Sequence, residues 1–186
     1  MHRGSEPIGI GDRILRSEAD RQSVRLAFFL GAAVRLSARR EWELMMTDHY
    51  KSDDEIRSLV NEFETCSFHP SEFKHYQHLA VALWYVANLS YADASERMKR
   101  GIQRLAASYG KTGYHETITV FWLRVVRGFL TGSAGVDSIA VLANQLIEKY
   151  AEKNLILDYY STELLASTEA KSDWVEPDLK PLLSLD

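Results

Sequence analysis

Apolar residues recur along this chain at helical spacing and rarely alternate, so the pattern predicts helices and no sheet. The clearest stretch begins at Ser52-Asp53-Asp54-Glu55, which carries the residues of a capping box. Ile56, Leu59, Val60 and Phe63 then mark the buried face of a first helix. His69-Pro70-Ser71 interrupts the pattern, and proline suits the opening turn of a second helix burying Phe73, Leu79, Ala82, Val86 and Leu89. Ser90 restarts a third, with Ala94, Met98, Ile102 and Leu105 on one side and Arg97, Lys99, Arg100 and Arg104 around the solvated other. After a turn at Gly110 to Gly113, a fourth helix runs through Ile118, Trp122, Val125, Val126 and Phe129 until Gly132 and Gly135 end it. A fifth spans about Asp137 to Ala151. Asn154 caps a sixth, LILDYYSTELLA, and a short helix near Thr168 to Trp174 follows. Pro177 and Pro181 keep the tail extended.

Short links between such helices favour antiparallel neighbours. The expected fold is therefore all-α, a compact antiparallel helical bundle of five to seven helices. Its expected core holds Leu59, Phe63, Leu79, Leu83, Ile102, Ile118, Trp122, Val126, Leu142 and Leu146. Residues 46–186 read as a single helical domain. Residues 1–45 are glycine-rich at the start and weakly periodic after it, and read as a poorly ordered or loosely attached extension.

Composition narrows the function classes. Of 186 residues, 46% are hydrophobic and 26% charged, the balance of a soluble globular protein. The formal net charge of −4 speaks against a broad nucleic-acid footprint. The apolar run LAFFLGAAV is too short to span a bilayer. It also sits too late, behind acidic residues, to serve as a signal core. One cysteine, Cys66, permits no intrachain disulfide and fits a reducing compartment. The expectation is a cytoplasmic protein with a small-molecule ligand, and neither nucleic acid nor membrane as partner. Oligomeric state is not legible.

Chemistry concentrates in histidine. His75 and His78 lie three apart at the start of the second helix, on one face and on the same stripe as Leu79 and Ala82. His115 opens the fourth helix and continues into Ile118, Thr119 and Trp122. If helices two, three and four alternate in direction, all three imidazoles fall at one end of the bundle. The last turn of the first helix would bring Glu62 and Glu64 there. One expectation is thus an enzyme site with His75, His78 and His115 as metal ligands, for a divalent zinc or iron cofactor. Glu64 or Glu116 would be its catalytic carboxylate, and Tyr114, Thr117 and Thr119 its ligand-binding groups. The other expectation is a non-catalytic module that holds a small molecule or anion in the same pocket, helped by helix-start N–H groups. A histidine simply bonded inside the core explains the same residues, and H-E-x-x-H is absent.

Three ordered motifs also carry a resemblance. Phe73, His75, His78 and Leu79 form F-x-H-x-x-H-L; Tyr114, His115, Thr117 and Thr119 form Y-H-x-T-x-T. Pro177, Asp178, Leu179, Pro181 and Leu182 form P-D-L-x-P-L. Across roughly Ser52 to Leu183 the chain resembles a family of small uncharacterised bacterial all-helical proteins. That resemblance implies the helical fold and no particular chemistry.

Overall fold

The computed structural model describes residues 48–68, 72–133 and 135–182. Seven α-helices and one 3₁₀ helix occur among them, with no strand. The expectations for residues 1–45, and the break at His69-Pro70-Ser71, lie outside the described residues.

Helix α1 (Asp53–Thr65) starts where Ser52 Oγ accepts from Glu55 N. The Glu55 carboxylate does not close the box on Ser52; it accepts from Lys51 N instead, at 2.7 Å. The helix stops at Cys66, which adopts a left-handed φ of 54° and donates its N–H back to Phe63 O, while Ser67 N reaches Glu62 O. These bonds satisfy carbonyls that a helix end otherwise leaves open.

Helix α2 (His75–Asn88) is the centre of the bundle and packs against α3 (Tyr91–Ser108), α4 (Glu116–Thr131), α5 (Ile139–Tyr150) and α1. Being surrounded, it is buried around most of its circumference, from Leu79 through Leu83 and at Tyr85. Close approach is built in at Gly101 of α3, where a Cβ would lie 2.2 Å from the Phe63 ring. Serines 90 and 138 cap α3 and α5 with their hydroxyls. Asp53 ties the start of α1 to that of α5 by accepting from Ser138 Oγ and Ala140 N. The same bonds hold its carboxyl below the usual range.

The expected sixth helix is not continuous. Lys153–Asp158 forms a 3₁₀ helix and Thr162–Ala166 a separate short α6, followed by α7 (Thr168–Ser172). Ser161 makes the break, because its hydroxyl caps α6 by accepting from Leu164 N. Asp178 locks it, accepting from both Ser161 N and Ser161 Oγ, while Leu179 N donates to Tyr159 O. Asparagine-first capping gives way to a serine held from seventeen residues downstream.

Residues 153–182 wrap the outer face of α4 and create a second apolar cluster beside the main core. Phe121, Val125, Ile156 and Tyr160 are buried there, with Trp174, Val175 and Leu182 packed against them. Trp122 and Tyr150 touch both clusters. Of the ten core residues expected from periodicity, seven are buried. Ile102, Ile118 and Trp122 are only half-buried, for a reason the cavity supplies.

Candidate functional site

The stripes of α2, α3 and α4 do not close on one another completely. Between them and residues 153–165 lies a cavity of about 530 Å³. Buried Leu79, Ala82, Met98 and Leu123 form its floor, and Ile102, Ile118 and Trp122 its flanks. Ile156, Leu157 and Leu165 wall the remaining side, with exposed Lys153 and Asn154 at the mouth. The three core residues that stay half-exposed are thus its flanks. Their apolar stripes face space rather than protein.

His75, His78 and His115 all line this cavity. Each has a different role in the hydrogen-bond pattern. His75 Nε2 lies 3.0 Å from Tyr150 O, and its ring packs on Trp122 with centroids 4.5 Å apart. A carbonyl only accepts, so Nε2 carries the proton and Nδ1 is left as the acceptor. Burial pulls the His75 pKa down, the Tyr150 bond opposes this, and Lys153 nearby adds to the lowering while Glu152 resists it.

His115 is the N-cap of α4. Its Nδ1 accepts from Ile118 N at 3.4 Å and its Nε2 donates to Leu165 O at 2.9 Å. Both ring nitrogens are therefore engaged by backbone, one starting a helix and the other holding the C-terminal segment. The helix-start donors expected to help an anion are partly taken as well: Ile118 N by His115, and Lys74 N by Gln77 Oε1 at 2.6 Å.

His78 is the exception. Its ring meets the edge of Phe73, with centroids 4.3 Å apart, and makes no hydrogen bond among the described residues. Burial first, and then the neighbouring His75, push its pKa down to about 4, so the ring is neutral at pH 7. It faces the cavity with an N–H donor and an acceptor both unused.

The remaining predicted residues divide. Thr119 lines the cavity, but its hydroxyl donates to His115 O at 2.9 Å within its own helix. Thr117 is fully buried and does not reach the cavity. It donates to Asp173 O at 2.7 Å and accepts from Val175 N at 3.2 Å. Tyr114 donates to Glu116 Oε2 at 2.5 Å, and burial, with this contact second, raises its pKa. Glu116 also pairs with Lys99 and does not line the cavity. Glu64 is not at the histidine end. It accepts from Tyr85 Oη at 3.0 Å, in the last turn of α2, and faces Arg97. The end of α1 thus lies beside the last turn of α2 and not beside its first.

No group of three or more His, Cys, Asp or Glu side chains is placed to share a metal among the described residues. The histidines line a common space and do not form a metal-sharing group, because His75 is turned to the Tyr150 carbonyl at the end of α5 and His115 to the Leu165 carbonyl on the far wall. Sequence reasoning missed that wall altogether. Lys153, Asn154, Ile156, Leu157 and Leu165 belong to a stretch that periodicity reads as one more bundle helix. Its only warning was the serine at 161, in the middle of the apparent helix.

Among the described residues, no helix is long and apolar enough to cross a membrane. No protein-family model, no curated protein and no solved structure matches the chain.

Proposed function

We propose that this protein is a binding module for a small, largely apolar molecule, held in the cavity between α2, α3, α4 and the C-terminal wrap. The observation that carries the reading is the cavity itself, about 530 Å³, apolar on floor and flanks. Its volume falls within the roughly 300–1,000 Å³ typical of small-molecule sites. Such sites combine an apolar lining with a few polar groups that fix orientation, and His78 supplies one with its hydrogen-bonding capacity intact. A binding role asks nothing of Glu64 or Glu116, whose partners lie elsewhere. It also explains why Ile102, Ile118 and Trp122 are apolar yet incompletely covered.

The neutral fluorophore N-phenylnaphthylamine tests this directly. Its emission should rise saturably with one molecule bound per chain. Ile118→Trp, whose indole intrudes into the cavity from a half-buried flank, should weaken the signal strongly while the circular dichroism spectrum stays helical. Absence of saturable binding, or equal binding by a folded Ile118→Trp variant, would reject the reading.

A further inference from the structure

We infer that the preferred ligand is a monocarboxylate with an apolar body, its head group at Lys153 and His78 and its body on the floor made by Leu79, Ala82, Met98 and Leu123. This rests on the cavity being a binding site and goes on to name the class of molecule it takes.

Among the described residues no Asp or Glu lines the cavity, and Lys153 is the formally charged side chain in its lining. Its ammonium has no ion pair or hydrogen bond among the described residues, although Glu152 precedes it in the chain and acts on His75 from outside the lining. A second amine would be repelled at this mouth, and a neutral head group would forgo the charge. A phosphate dianion is usually met by several cations or a guanidinium fork, and no arginine lines the cavity among the described residues. One negative charge matches one ammonium.

Hydrogen bonding selects in the same direction. His115 is fully engaged and His75 has spent its N–H on Tyr150 O. His78 still has an N–H to give, and Asn154 at the mouth makes no side-chain hydrogen bond among the described residues. These are donors for an acceptor-rich head group, and a carboxylate accepts from several at once. The rest of the lining is hydrocarbon and indole apart from His75, His115 and Thr119, whose donors are already bonded to backbone carbonyls. The cavity thus offers a cationic mouth at Lys153 and Asn154, a free donor further in at His78 and an apolar floor, the complement of an amphipathic acid.

Displacement of N-phenylnaphthylamine by decanoate and by decanol, which share an alkyl chain and differ in the head, reads the inference out. Decanoate should displace the dye at roughly tenfold lower concentration than decanol, as expected where a charged acceptor replaces a neutral one. In Lys153→Gln, whose side chain is exposed and whose fold is checked by circular dichroism, that preference, taken relative to the variant's own dye affinity, should shrink severalfold. If decanol equals or exceeds decanoate, or if Lys153→Gln keeps the full preference, the carboxylate inference falls while the apolar site stands. If neither compound nor the dye binds, the binding reading falls with it.

Discussion

At the scale of single residues, the cavity histidines show how one residue type serves three ends. His115 is a helix cap, His75 a strut to the end of α5, and His78 alone of the three has both ring nitrogens unbonded among the described residues. That has a cost in acid. The His78 pKa falls from 6.5 unfolded to about 4 folded. Between those values the unfolded chain binds more protons, so stability rises with pH there and is lost as pH falls from 6.5 toward 4. The difference amounts to about 3 kcal/mol. His75 is shifted the same way, while Asp53 and Asp178, both lowered, add their own acid loss at lower pH. The His78 share is isolated by comparing urea midpoints of the protein and His78→Gln from pH 7 to pH 4.5. The variant should lose markedly less stability over that interval, and parallel curves would show that His78 is not buried in the neutral form. Gly101 offers a second residue-scale test. Alanine would gain about 1 kcal/mol of helix propensity there. Its methyl, however, meets the Phe63 ring, which is fully buried and stacked on Phe73 at 5.1 Å. Overpacking of this kind costs about 1–3 kcal/mol, so Gly101→Ala should be destabilised in urea melts despite the better helix former.

At the scale of elements, the Y-H-x-T-x-T stretch turns out to be a clamp. His115 holds Leu165 O, and Thr117 holds both Asp173 O and Val175 N, so the first turn of α4 fastens the C-terminal wrap at two places. Replacing Thr117 by valine keeps the shape but strands two backbone groups, at about 1–3 kcal/mol. Amide hydrogen exchange in residues 153–182 should accelerate in Thr117→Val while α1 and α2 remain protected. Unchanged exchange would mean that the wrap is held by Tyr160 and the second apolar cluster alone. This element also marks the limit of what sequence reveals. Helices α1 to α5 were legible because three-to-four spacing, joined by the serine starts of α1 and α3, is a local signal written within each element. The apolar residues of LILDYYSTELLA keep that spacing too. What splits them is Asp178 reaching back to Ser161, and a contact between distant residues leaves no period to read. Spacing and helix order place His75, His78 and His115 toward one end of the bundle, and all three line the cavity. Their orientation was not legible, since it depends on carbonyls at Tyr150 and Leu165 that sequence does not rank above any others.

At the scale of the whole molecule, the described residues pack as two apolar clusters joined through Trp122 and Tyr150, and the cavity opens beside that joint. A protein interior normally fills its space to crystal-like density, and side chains lining unfilled space forgo dispersion contacts. An apolar ligand would restore those contacts and bridge α2, α3, α4 and the C-terminal wrap at once. Its binding should therefore appear as global stabilisation. For a ligand that binds only the folded chain, a free concentration one hundred times Kd adds about 2.7 kcal/mol. For a unit of this size that corresponds to a rise in Tm of roughly 5–10 °C. Differential scanning calorimetry with saturating N-phenylnaphthylamine should show a single transition moved upward by that amount. Ile118→Trp, its cavity partly occupied by its own side chain, should show a much smaller shift. A transition that splits instead, with the wrap melting apart from the main core, would mean that the ligand and the two clusters are not coupled through this joint.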